Sequence, residues 1–200
     1  MKSFLKAFGW PGFGGLLAPL LLAWLVLPCF PDEGIPGRQL QTQATRHAIE
    51  ASLERYFEAN GVYPQPANPN ETAEIEPGVI CRVGGAKCLY QALTGDGRDA
   101  IERSGKDATP SNGTWDDQEL QQIMFKDMPS YVRRKIGNHY LIVDGYGRPF
   151  QYIKADPAKK NTVNTTYDLW SYGDDETHLR ATSKDTEADP TIGAKWIKNW

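Results

Sequence analysis

Between Asp144 and Tyr152 the chain reads Asp-Gly-Tyr-Gly-Arg-Pro-Phe-Gln-Tyr, and no other segment restricts its backbone so tightly. Gly145 and Gly147 can take positive φ without a Cβ penalty, and Pro149 fixes φ where a strand begins. Asp144 to Pro149 is therefore a turn, and the pattern predicts that Tyr140–Val143 and Phe150–Ile153 pair antiparallel. Tyr167-Asp-Leu-Trp-Ser-Tyr-Gly173 supplies a third strand. Its aromatics, with Phe150 and Tyr152, provide a buried face. A small antiparallel sheet from Tyr140 to Gly173 beside helical segments makes α+β the expected class.

Upstream, Arg38 to Asn60 has helical composition, with Leu40, Ala44, Ala48, Ala51, Leu53, Tyr56 and Phe57 on one broad side. Gly61 and Pro64 are its stop signals, and Gly34-Ile-Pro-Gly37 reads as a break before it. Residues 64–138 read as variable loops. Pro64 to Pro77 is an acidic, solvated loop, Gly95 to Gly113 a second one, and Asp117 to Phe125 a short helix capped by Asp116 or Asp117 that turns Leu120, Ile123 and Met124 inward. Tyr131-Val-Arg-Arg-Lys135 is a solvated basic cluster.

The 200 residues carry a formal charge of −3, which offers nucleic acid no basic patch. One asymmetry stands out. From Ala7 to Pro31 there is no charged residue, while Lys2 and Lys6 precede the run and Asp32 and Glu33 follow it. Such a run is long enough to cross the ~30 Å hydrocarbon core, and the leading lysines keep the N-terminus cytoplasmic. Residues 1–31 are thus expected to form a leader and single-pass inner-membrane anchor, with 32–200 a periplasmic domain. No small-x-small site near Cys29 supports cleavage as a secretory signal.

Cys81 and Cys88 enclose six residues around Gly84-Gly85, a spacing that a hairpin could close with a disulfide in an oxidising compartment. A zinc site would need two further ligands that the surroundings do not offer. His47, His139 and His178 are isolated in sequence, and nucleophile-elbow, phosphate-loop and dinucleotide motifs are absent. The expectation is a non-enzyme without a small-molecule substrate.

Asp144 to Tyr152 together with Tyr167 to Gly173 resembles the globular domain of the type II secretion pseudopilins, especially the major pseudopilin. There a strand ends in Asp-x-Trp-Gly-x-Pro-x-x-Tyr and a later one carries Tyr-Asp-Leu-x-Ser-x-Gly; here Tyr146 replaces the Trp. Asn60-Gly-Val-Tyr-Pro64, Leu89-Tyr-Gln-Ala-Leu-Thr-Gly95 and the ending from Ile192 to Trp200 extend the likeness in the same order. The resemblance implies a pilin-like fold, with a membrane helix and an amphipathic helix packed on a three-stranded sheet. It also implies a structural role, with other pseudopilin subunits, secretion machinery and the inner membrane as partners. Gly12-Phe13 is the implied prepilin cleavage junction. Asp174, Asp175 and Asp189 are the implied calcium ligands, of the hard oxygen type that ion prefers. Two departures bear on assembly: Leu17 stands where the family places a glutamate, and Pro19 would kink a helix at that depth. An alternative is therefore a signal-anchored pilin-fold module that binds an envelope partner without polymerising.

Overall fold

Four α-helices, one 3-10 turn and seven short strands form an α+β arrangement in the computed structural model, which describes residues 35–102 and 108–200. The first helix, α1, runs Ile35–Asn60. It begins earlier than the sequence suggested, because a proline in the first turn lacks only an N–H that has no helical partner there; Pro36 and Gly37 lie inside the helix. It ends as expected, with Gly61 at φ +72 and its N–H on Phe57 O at 2.7 Å.

The face that α1 buries is narrower and more polar than the apolar stripe. Thr42, Thr45, Ile49, Ser52 and Leu53 are buried, while Leu40 is 68% exposed and Ala44, Ala51 and Phe57 also face outward. Two of the buried hydroxyls can be accommodated because they bond within the helix. Thr42 Oγ1 donates to Arg38 O and Ser52 Oγ to Ala48 O, both at 2.7 Å, which removes most of the cost of burying them. Small hydroxyl residues also let backbone approach closely. Gly145 N–H reaches Thr42 Oγ1 at 3.0 Å, and a Cβ on Gly145 would come within 2.5 Å of Arg38 O.

The acidic segment 64–77 contains a strand, β1 (Thr72–Glu76), paired antiparallel with β2 (Val79–Arg82) across Gly78 at φ +79. Directly after β2 comes α2 (Gly84–Thr94), all eleven residues of which are buried. The Gly84-Gly85 pair is therefore no hairpin turn. It lets the start of α2 touch its neighbours: a Cβ on Gly84 would strike Asn68 O, and one on Gly85 would strike the backbone of Tyr152. The expected disulfide is overturned by the same geometry. Cys81 lies on β2 with its thiol 3.4 Å from Leu179 O, and Cys88 is enclosed in the middle of α2; both are free. Burial pushes the Cys81 thiol up to about 12 and Cys88 higher still, which leaves two inert apolar thiols.

The short helix α3 (Asp117–Leu120) carries a full capping box between Asp116 and Glu119, but it stops before Ile123, and Leu120 is 52% exposed rather than inward. After the 3-10 turn Ser130–Val132, the basic cluster becomes β3 (Arg133–Ile136), antiparallel to β4 (His139–Ile142). This changes the predicted hairpin. The turn itself forms, with Asp144 N–H on Arg148 O at 2.8 Å, a bridge between Val143 and Pro149, and Phe150 N–H on Ile142 O at 3.0 Å. There the pairing ends: Val143 and Pro149 form an isolated bridge that no ladder extends. β4 takes β3 as its partner, and β5 (Gln151–Lys154) takes β6 (Tyr167–Ser171). The third strand of that sheet is β7 (Ile197–Lys198), in the order β5-β6-β7, reached after the short helix α4 (Ser183–Ala188).

Two clusters make the core. One joins Ile49 and Leu53 of α1, Leu89 and Leu93 of α2, and Phe150, Tyr152 and Leu169. The other gathers Cys81, Leu141, Leu179 and the rings of Trp170, Tyr172 and Trp196. Trp170, Phe150 and Tyr152 are at most 2% exposed, as the aromatic pattern predicts. The leader, the anchor and the Gly12-Phe13 junction lie outside the described residues, among which no helix is long and apolar enough to cross a membrane.

Candidate functional site: the C-terminal loop beside β6

β6 delivers the chain into residues 173–196 through Gly173, whose φ is +59 and whose Cβ position would lie 2.5 Å from Lys195 O. Three aspartates of this loop are the implied calcium ligands, and the fold sends them to three different places. Asp174 faces Lys195 Nζ at 3.7 Å. Asp189 accepts from its own neighbour, with Thr191 N–H at 3.0 Å and Thr191 Oγ1 at 2.6 Å, and these bonds hold its carboxyl below the usual range. Asp185, the spare carboxylate of the region, closes the capping box of α4 with Thr182.

Asp175 alone is buried. Its Oδ1 accepts the backbone N–H groups of Thr177 (2.9 Å) and His178 (3.2 Å). Its Oδ2 lies 2.9 Å from His178 Nδ1 and accepts the indole N–H of Trp196 at 3.0 Å. Burial opposes the charge, but the N–H groups of Thr177, Trp196 and His178 outweigh it, and the carboxyl sits below its ordinary value. Every acceptor direction is met by a nitrogen. A calcium ion needs six to eight oxygens, and among the described residues no three His, Cys, Asp or Glu side chains converge on a point. The donor set does not fit the ion.

Protein groups hold the loop instead. Arg148, from the turn, donates through Nη1 to Gly173 O (2.8 Å) and Asp175 O (2.5 Å), and its Nη2 lies 3.6 Å from Glu176. Tyr172 OH donates to Ala181 O at 3.0 Å. Beneath them, Trp170 and Trp196 stack with centroids 5.7 Å apart and planes 9° from parallel, while Trp200 meets Trp170 edge-on at 5.7 Å. Asp144 anchors the near side: it accepts Tyr146 N–H (2.8 Å), Arg148 N–H (2.9 Å) and the Ser171 hydroxyl.

Sequence reasoning missed Trp196, His178 and Arg148 as members of this network. A buried tryptophan carries one N–H that gains from an acceptor, and in an acidic loop a carboxylate can serve; this was the signal available, although the indole N–H of buried Trp170 meets no acceptor among the described residues. The chain matches no family model, and neither a curated protein nor a solved structure matches it.

Proposed function

We propose that the chain is a structural, membrane-anchored, pseudopilin-like subunit of a type II secretion or related pilus-like machine, whose work is assembly and contact rather than catalysis. The observation that carries this reading is α1. A 26-residue helix lies on the domain by a stripe of Thr42, Thr45, Ile49, Ser52 and Leu53, leaving Leu40, Ala44, Ala51 and Phe57 exposed along its other side. Before it in sequence, separated by Asp32, Glu33 and Gly34, stands the uncharged run from Ala7 to Pro31. A long helix with a buried seam and a second, apolar-dotted face suits side-by-side packing with further copies or related subunits. The pilin-like fold, the periplasmic placement and the secretion partners belong to this proposal.

Intact mass and N-terminal sequence of the membrane-extracted protein test it. A chain beginning at Phe13, with a modified amine, supports an assembling subunit. A chain retaining residues 1–12 overturns that reading in favour of the signal-anchored module, which Leu17 and Pro19 favour. Cysteines placed at Leu40 and Ala44 give a second readout: an assembling subunit yields copy-to-copy disulfides there, and a lone module yields none.

A further inference from the structure

On the side of β5 where Lys154 and Arg82 emerge, a cleft of about 390 Å³ is lined by Arg82, Lys154, Lys159 and Lys184, with Asp156 as its one carboxylate. Four cations line the cleft with one carboxylate among them, in a chain whose total is −3, although Lys184 is already paired with Glu187. This is not a charge run in the sequence. β2 contributes Arg82, β5 and the loop after it contribute Lys154 and Lys159, and α4 contributes Lys184, so the fold alone brings them together.

The internal pairings leave much of that charge available. Lys159 reaches Asp156 at 3.1 Å with most of its side chain exposed, and Lys184 turns to Glu187 on its own helix. Arg82 braces the loop before β1, donating to Pro69 O (2.9 Å) and Asn70 Oδ1 (3.0 Å). The side chain of Lys154, half-buried at the end of β5, forms no hydrogen bond or ion pair with a described residue, while its backbone carbonyl accepts from Asn161 Nδ2 at 3.0 Å. A cation half-withdrawn from water and not ion-paired to a described residue is held at a cost that a bound anion would remove.

We propose that this cleft binds a phosphate-bearing anion, with Lys154 and the braced Arg82 as its fixed contacts and Lys159 and Lys184 closing over it. Phosphate matches the chemistry: several acceptor oxygens with up to two charges suit converging ammonium and guanidinium donors. The cleft volume admits a phosphorylated headgroup as well as the bare ion, so a soluble phosphoester and a phospholipid share this recognition. The assignment is independent of whether the chain assembles.

The test is an amide chemical-shift titration of the full chain in neutral detergent, with inorganic phosphate and with a soluble short-chain phosphatidylglycerol as separate probes. Saturable shifts centred on Arg82, Lys154, Lys159 and Lys184 are expected, weakening as salt is raised. Lys154→Ala should lower the affinity by about tenfold, the effect of losing one charge-assisted contact. The exposed pair Lys159→Gln/Lys184→Gln serves if Lys154→Ala does not fold. Lys135→Glu, on β3, should change nothing. Saturation by phosphate assigns a soluble phosphoester, and saturation by the lipid alone assigns a headgroup; either supports the site. The proposal is overturned if neither probe saturates, if a glutamate-rich peptide binds where both phosphates fail, or if Lys135→Glu weakens binding as much as Lys154→Ala.

Discussion

The turn at 144–149 and the loop at 173–196 are each pinned by one buried aspartate, yet the two carboxylates differ in proton affinity. Asp144 accepts two backbone N–H groups and the Ser171 hydroxyl, and burial still wins: its carboxyl is raised above the ordinary value. Asp175 accepts two backbone N–H groups, the Trp196 indole and the His178 ring, and these donors overcome burial. The balance of desolvation against donors sets each shift: burial dominates at Asp144, while at Asp175 the Thr177, Trp196 and His178 N–H groups together favour the ionised form.

The largest effect should come from removing the floor beneath the C-terminal loop. Trp170 is fully buried, stacks on Trp196 and adjoins Ser171, the partner of Asp144. Trp170→Ala is expected to cost about 3–5 kcal/mol, which a denaturant midpoint would reveal. A midpoint close to that of the parent would mean that neither region depends on this ring.

Next comes the same substitution made at both anchors. In Asp175→Asn the amide nitrogen must face either the Thr177 and His178 backbone N–H groups or the Trp196 indole, and both placements set donor against donor. The expected cost is about 2–3 kcal/mol, that of a buried group left unsatisfied. In Asp144→Asn the carbonyl can keep both backbone N–H groups while the amide donates to Ser171 Oγ, because a hydroxyl can reverse its role. That change should cost about 1 kcal/mol or less. Equal losses from the two variants would break the distinction between the regions.

These two regions were unequally legible in the sequence. The 144–149 turn could be read because glycine and proline constrain the backbone locally, and the buried aromatics followed from the aromatic content of the strand segments. The pairing beyond the turn could not be read, since it depends on which strands meet in space: Val143 and Pro149 form only an isolated bridge, while Arg133–Ile136 gives β4 its ladder. Charged Arg-Arg-Lys gives little strand signal by itself. Gly84-Gly85 reads locally as a turn, and only the approach of Asn68 and Tyr152 shows why a buried helix needs glycine there. In the candidate site the aspartates were visible, but their donors lie up to 21 residues away in the chain, and spacing carries no record of such a contact.

The pH dependence sharpens the comparison at smaller amplitude. Asp175 has a lowered folded pKa, so its contribution is fully present above the unfolded value of about 3.9 and is lost as pH falls through the folded one. Asp144 has a raised folded pKa, so its contribution is present below about 3.9 and is lost as pH rises through the folded one. Melting temperatures measured between mild acid and neutrality should therefore show Asp144→Asn gaining on the parent as pH rises. The deficit of Asp175→Asn should shrink only below about pH 4. If Asp144→Asn tracks the parent at every pH, the raised carboxyl is not what distinguishes the turn.

The smallest effect expected is none, and it bears on the resemblance directly. A loop held by bound calcium melts lower when a chelator removes the ion, because ligand bound only to the folded state stabilises it in proportion to occupancy. Here Asp175 is filled by nitrogen donors, Asp174 is drawn to Lys195, and Asp189 is turned onto Thr191. Melting temperature should therefore be the same in excess calcium and in excess chelator, for the parent and for Asp174→Asn alike. A rise with calcium that Asp174→Asn or Asp189→Asn abolishes would mean that these carboxylates swing together around an ion. The indole of Trp196 and the guanidinium of Arg148 would then assist the closure of the loop rather than provide it.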